Sequence, residues 1–460
     1  MMKLYKKSFI SLILLAFLVS GQSSYAITEK TDNVKQDVAV EYNNDVHSVF
    51  SLKDCIDIAL KYNPSIRSYI CNEDVYKSRI GQAWANFFPE ISGGVDISRS
   101  RAHYSGGDYP FPSMTYNMGY YPTISAGMML FDFGKTKATA DYAKRVYESK
   151  KEDTKENIND IIYSIKSAYF NILFAKAQVR VYEDTVKDYE MQLSRAEAFY
   201  QIGKKAKIDV VTAEYNLGKA RLNLVAAKNT LQVAQVQLSQ IMGIPEYTNY
   251  ELSDELTLND YNETFENLIT TAYDVRPELI SSKKLVDAAK MNLRASKRSY
   301  TPDFGIYGGY SNGRGNKYNL SSAQIGLQLT YSGLNIMRIK KEVDEAKAGY
   351  NKSMADYDNV KNIVYLNVKK NYMDLQTAKE SVIIAKLALD EAKEQYRQVT
   401  GRYKAGVSDA IELKDGENTY LNARLHFYNA MLNYNVTAAS LAKEVGVPLI
   451  FSDKTIFDNQ

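Results

Sequence analysis

One plan runs twice through this chain, and any fold it adopts must accommodate the copy. Tyr200-Gln201-Ile202-Gly203, then Asp209, Ala220-Arg221-Leu222 and Gly243-Ile244-Pro245, return at a constant offset as Tyr403-Lys404-Ala405-Gly406, Glu412, Ala423-Arg424-Leu425 and Gly446-Val447-Pro448. Upstream, Asn63-Pro64 and Phe88-Pro89 return as Arg276-Pro277 and Thr301-Pro302. A repeat this long is a whole structural unit copied, not a short solenoid module. The pattern predicts a first repeat over 51–245, a linker over 246–263 and a second repeat over 264–448. A polar segment at 27–50 and a tail at 449–460 flank them and read as poorly ordered.

Residues 1–26 read as a cleaved secretory signal. Lys3, Lys6 and Lys7 form a basic start, Phe9 to Val19 an apolar core, and Ser24-Tyr25-Ala26 a small-residue cleavage site. No cysteine follows the apolar core where a lipid anchor would need one, which predicts an unlipidated N-terminus. No other window holds the roughly 20 apolar residues of a membrane helix, so any membrane crossing must use strands.

Only nine Pro and 24 Gly occur among 460 residues, so long uninterrupted elements are expected. The 57 basic side chains nearly balance the 54 acidic ones, which leaves no one-sided charge for nucleic acid. Cys55 and Cys71 either pair in an oxidising compartment or stay as small buried side chains.

From Lys135 to Tyr200 there is neither Pro nor Gly, and apolar positions step by four and three: Ile161, Ile165, Ala168, Ile172, Ala175, Val179, Tyr182, Val186, Tyr189, Leu193, Ala196, Tyr200. This is a coiled-coil seam. It recurs through Val364, Val368, Asn371, Leu375, Ala378, Val382, Ala385, Leu389, Ala392, Tyr396, Val399 and Tyr403. After each glycine turn a second helix carries small residues on one row (Ala213, Ala220, Ala227, Ala234; Gly416, Ala423, Ala430, Thr437) and large ones on another (Leu217, Leu224, Leu231, Leu238; Tyr420, Phe427, Tyr434, Leu441). A sustained seven-residue repeat predicts left-handed supercoiling of antiparallel pairs, the small residues admitting close backbones.

A different period lies between the short N-terminal helix and the long helix of each half. Residues 89–133 alternate through Ile91, Gly93, Val95 and Ile97 and, after a loop at 105–113, through Met118, Tyr120, Pro122, Ile124, Ala126, Met128 and Leu130. This predicts a strand hairpin, and 302–333 predicts another, with its turn at 312–316. Long Tyr-rich alternating strands suit a lipid-crossing barrel. Four strands cannot close one, since about eight is the smallest membrane-spanning count, so the chain must oligomerise.

Across Ser51 to Pro448 this order of elements resembles the TolC-like outer-membrane efflux and secretion proteins of Gram-negative bacteria. The resemblance implies a mainly α, α+β fold: a homotrimer with a twelve-stranded barrel in outer-membrane lipid, continued by a coiled-coil α-barrel tunnel across the periplasm. It implies an exit duct for inner-membrane transporters joined by a periplasmic adapter protein, without cofactor, metal or catalytic residue. It also implies acidic gate rings, which fall by position on Glu412 and Asp415, one helical turn apart. Threefold symmetry would stack their like charges and raise some of their pKa values; without the resemblance the same pair reads as a solvated helix face. Asp209 and Tyr403 match two partners of the family's closing contacts, while the basic partner's place holds Ser408. Family tips that meet adapters carry a Val-Gly-Leu-like turn; here they read Ile202-Gly203-Lys204 and Ala405-Gly406-Val407, with Lys205 and Lys207 beside the first.

An enzyme finds little support. His47, His103 and His426 show no ligand spacing, and no glycine loop joins a strand to a helix as a phosphate cradle. A non-conducting envelope scaffold would explain the heptads but not two long alternating hairpins. A duct for small toxic compounds and one for secreted polypeptide read alike, because a passive conduit has no substrate pocket.

Overall fold

A computed structural model describes residues 48–104, 113–245, 250–253, 256, 258, 263–315, 319–331, 335–405, 407–408 and 410–447. The expected signal segment, the unlipidated N-terminus, most of the polar segment 27–50, the tail at 449–460 and all of the loop expected at 105–113 except Ser113, which opens a strand, lie outside these residues. In chain order the elements are β1 (Ser48–Phe50), α1 (Leu52–Tyr62), α2 (Pro64–Trp84), a 3-10 turn (Ala85–Phe87), β2 (Glu90–Tyr104), β3 (Ser113–Phe131), α3 (Lys135–Gln201) and α4 (Lys207–Met242). They continue with β4 (Tyr250–Leu252), α5 (Phe265–Val275), α6 (Pro277–Arg298), β5 (Asp303–Gly315), β6 (Asn319–Thr330), α7 (Ile336–Lys404) and α8 (Ala410–Val445). At 67 and 69 residues, α3 and α7 are each about 100 Å long. No described helix is long and apolar enough to cross a membrane.

The sequence predicted one short helix ahead of each hairpin; there are two. Asn63 (ψ 119°) and Arg276 (ψ 121°) are extended because the following proline disfavours helical backbone before it. Pro64 and Pro277 then start the next helix, where a missing N–H costs nothing.

Two compact units emerge, one combining Ala168–Leu256 with the chain up to Pro64, the other Ser65–Ser167 with the chain from Thr257 onward. In the first, β1 pairs in parallel with β4, and the Phe50 ring lies 5.4 Å from that of Tyr250. The distal half of α3 packs on α4 through Val186, Tyr189, Leu217 and Ala220, the small alanine letting the backbones close. The ion pairs Arg221–Glu190 and Lys228–Glu183 flank that seam. Cys55 is buried and Cys71 exposed, both as free thiols.

In the second unit, α7 packs on α8 through the predicted seam, with Val364, Val368, Leu375, Ala378, Val382, Ala392 and Val399 buried. The polar member of that seam, Asn371, accepts a 2.7 Å hydrogen bond from Ser440 of α8. A satisfied polar pair in a coiled-coil seam fixes register, since a shifted alignment would leave both groups unbonded.

The hairpins of the second unit form one antiparallel sheet in the order β2-β3-β5-β6. Residues directly opposite share a face, so the register sorts the sheet in two. One face carries the rows Ile91-Ala126-Gly308-Ile325 and Met128-Ile306-Leu327; the other carries Ser92-Ser125-Gly309-Gln324. On the polar face Ser92 meets Ser125 at 2.7 Å and Ser311 meets Ser322 at 2.8 Å. On the apolar face Ile325 and Leu327 are 81% and 77% exposed. Turn residues had been expected at 312–316, but Asn312, Gly313 and Arg314 pair with Ser321, Leu320 and Asn319. Ladder hydrogen bonds there outweigh the turn preference of Asn and Gly, and the connection falls at 316–318, outside the described residues.

A buried aspartate joins sheet to helix. Asp132 accepts from the backbone N–H of Gly134 at 3.0 Å and from that of Thr136, satisfying donors that the first turn of α3 cannot pair internally.

Candidate functional site

Each long helix returns on itself through a glycine turn, and these two tips hold the candidate residues. At the first, Gly203 has φ +70°, a conformation that costs a side chain but not glycine. Its N–H donates to Tyr200 at 2.9 Å, and that of Lys204 donates to Phe199 at 2.9 Å. This paired closure is a Schellman motif, which satisfies carbonyls the helix end leaves open. Lys204 is exposed. The returning helix α4 then starts with Asp209 in its first turn, whose carboxylate accepts from the Ala206 N–H at 3.2 Å. The acid at this place of the repeat is therefore a helix cap, favoured also by the positive end of the helix dipole.

The second tip repeats the outer of these two backbone bonds. Ala405 donates to Gly401 at 3.1 Å and Val407 to Arg402 at 2.9 Å, while Gly406 lies outside the described residues. Val407 is 70% exposed. Glu412 again sits in the first turn of the returning helix, but here its partners are side chains: Arg402 Nη1 donates to Oε1 at 2.5 Å and Ser408 Oγ donates to Oε2. Ser408 thus serves the acid at the place where a basic residue was expected, and a salt bridge does form at this tip, within a single hairpin. Asp415 is exposed, one turn further along α8. Tyr403 is half-buried. Asp209 belongs to the first compact unit, and Tyr403, Ser408, Glu412 and Asp415 to the second. Just above the turn Gly416 lies against Val399 at 3.7 Å from where a Cβ would stand, and Tyr396 stacks on Tyr420 at 5.6 Å.

Sequence reasoning missed Arg402. A basic residue in the last turn before a helix-ending glycine, facing an acid in the first turn after it, is a local signal that could have found it.

The opposite ends of the returning helices are held by the residues that precede the two prolines. In the first unit Asn63 donates its amide to the carbonyl of Ile241 at 2.6 Å. Gly243 ends α4 at φ +83°, with the Tyr62 carbonyl oxygen 2.6 Å from where a Cβ would stand. In the second unit Arg276 does the work of Asn63 with a charge: its guanidinium, 3% exposed, donates to the carbonyl of Glu444 at 3.0 Å and lies 2.8 Å from the Glu444 carboxylate and 3.0 Å from that of Glu278. Glu156 of α3 stands 3.9 Å away. Burial pushes the Glu156 carboxyl above its ordinary range; Arg276 and Lys443 oppose the shift, and Glu278 and Asp160 add to it. Lys443 pairs with Asp160 at 2.7 Å.

The sequence profile of the family described as Outer membrane efflux protein matches residues 55–244 and 268–447. The chain is 20% identical over 406 residues to the probable efflux pump outer membrane protein TtgC of Pseudomonas putida, covering 86% of this chain and 83% of that one. It is 21% identical over 404 residues to the outer membrane protein TolC of Escherichia coli, covering 84% and 80%. Its fold is similar to that of the Campylobacter jejuni CmeC outer membrane channel, with a TM-score of 0.72 and 15% identity over 92% of this chain and 93% of that one.

Proposed function

Because this chain belongs to the outer membrane efflux protein family, we propose that it is a passive, gated exit duct: a homotrimer with a twelve-stranded barrel in the outer membrane and a helical tunnel in the periplasm. The observation that carries this reading is the sheet β2-β3-β5-β6. Its two edge strands, β2 and β6, are 15 and 12 residues long and have no partner strand on their outer sides among the described residues. In lipid every backbone N–H and C=O must be paired, and only closure removes the edges. The outer strands run in opposite directions, so β6 of one copy meets β2 of the next as an antiparallel pair, and repetition around an axis closes the ring. Three copies give twelve strands and room for a channel. The exposed apolar face then meets lipid and the serine-rich face lines the lumen.

Cargo reaches the lumen from an inner-membrane transporter through a periplasmic adapter that contacts the tip turns at Gly203, Lys204, Gly406 and Val407. At rest the hairpins close the entrance through contacts that include Asp209, Tyr403 and Ser408, and Asp415 with Glu412 forms the acidic levels of the constriction. Opening splays the helix pairs about the two glycine turns. Planar-bilayer conductance of the purified protein tests the reading. A small, stable conductance that grows in Asp209→Ala or Tyr403→Phe supports duct and gate together. A folded, membrane-inserted preparation that passes no current would overturn it.

A further inference from the structure

The two tips share a backbone bond across the turn yet treat their acids differently, and two residues make the difference: Arg402 and Ser408, whose places at the first tip hold Phe199 and Lys205. Arg402 acts at both ends of the second turn. Its carbonyl receives the Val407 N–H that ends α7, and its guanidinium crosses to Glu412, the acid that begins α8. At the corresponding place of the first tip stands Phe199, whose carbonyl makes the same backbone bond to Lys204 but whose side chain carries no charge. Asp209, the counterpart of Glu412, bonds a backbone N–H instead.

We propose that Arg402 is the counter-ion of Glu412 and sets the charge selectivity of the duct, making the Glu412 level electrically neutral to passing cargo. This rests on the duct reading above. A carboxylate with a guanidinium 2.5 Å away presents a dipole, not a charge. The field of a dipole falls off faster with distance than that of a lone charge, and salt screens it within about 8–10 Å. Ser408, on the second carboxylate oxygen, holds the group in the orientation that Arg402 meets. Exposed ion pairs contribute little to stability, so the function of this one is where it puts charge. Cation preference at the second tip then comes from Asp415, and Arg402 is the residue by which this chain moderates it.

The test is the reversal potential of the purified full-length protein in planar bilayers under a KCl gradient at about 0.1 M, where screening is modest. Wild type, Arg402→Ala, Arg402→Lys, Glu412→Ala and the Arg402→Ala/Glu412→Ala double variant are compared. Arg402→Ala is expected to raise the potassium-to-chloride permeability ratio several-fold, about fivefold for one unit charge close to the path. Arg402→Lys should retain the wild-type ratio, Glu412→Ala should shift it toward chloride, and the double variant should return it close to wild type. A merely structural role for Arg402 would not produce opposite shifts that cancel. Conducting channels in which Arg402→Ala leaves the ratio unchanged, or in which the double variant stays as displaced as either single one, overturn the assignment while leaving the duct intact. A wild type that passes no current overturns the duct reading and this inference with it.

Discussion

Arg276 and Glu444 are joined twice: the buried guanidinium donates to the Glu444 carbonyl at 3.0 Å and lies 2.8 Å from its carboxylate. The charge therefore closes the C-terminal end of α8, where the helix dipole is negative and carbonyls are unpaired. Asn63 does the same for α4 without a charge, through the Ile241 carbonyl. One position of the repeat, the residue before proline, has kept its task and changed its chemistry.

Removing that charge leaves the buried Glu444 carboxylate without its ion-pair partner. Arg276→Gln is expected to destabilise the folded chain by about 3–5 kcal/mol, and Arg276→Lys by less, because a lysine keeps the charge but loses the planar fork. Thermal unfolding of detergent-solubilised protein reads the order of the three; equal midpoints would remove Arg276 from the joint.

The same joint predicts a pH dependence. Burial raises the folded-state pKa of Glu156 above its ordinary 4.5, despite Arg276. The fold therefore favours the neutral acid, and the stability this contributes is fully present below about 4.5 and lost as pH rises through the folded value. Glu156→Gln, which fixes the neutral form, is expected to raise the unfolding midpoint at pH 7 and to change nothing near pH 3.5, about one unit below the ordinary value. The charged groups around it are Arg276, Glu278, Asp160 and Lys443. A gain that persists at low pH would show that packing, not charge, is responsible.

Two glycines with positive φ should respond differently to one substitution. At Gly203 (φ +70°) an added Cβ meets nothing, so Gly203→Ala carries only the conformational penalty, about 1 kcal/mol. At Gly243 (φ +83°) it meets the Tyr62 carbonyl oxygen at 2.6 Å, and backbone must move. Gly243→Ala is expected to cost distinctly more and to expose the amides of α1 to hydrogen exchange. Equal costs would mean that α1 yields freely.

The two sheet faces make a further contrast. Leu327→Arg places a charge on the apolar face and is expected to cost about 2–4 kcal/mol if that face meets lipid. Ser322→Arg, on the opposite face, should be tolerated. The fraction of each variant that assembles into membrane-embedded oligomers measures the difference; the reverse order would turn the sheet inside out.

The duplication, the glycine turns and both hairpins are legible in the sequence because each is set by local periodicity. The steps from Ile161 to Tyr200 and from Val364 to Tyr403 require long helices, and the alternation at Ile91, Gly93, Val95 and Ile97 requires a strand, whatever lies elsewhere in the chain. The acids that begin the returning helices, Asp209 and Glu412, could likewise be placed by their distance from Gly203 and Gly406. What those acids touch could not be. Asp209 caps its own helix while Glu412 pairs with Arg402, because the residue brought opposite by the turn is Phe199 in one case and an arginine in the other. Arg276 was visible only as the residue before Pro277; its role was not, for two of its partners, Glu156 and Glu444, lie on helices far away in sequence. Periodicity is written along the chain and can be read there; which charges are buried together depends on distances across it, and only the folded structure fixes those.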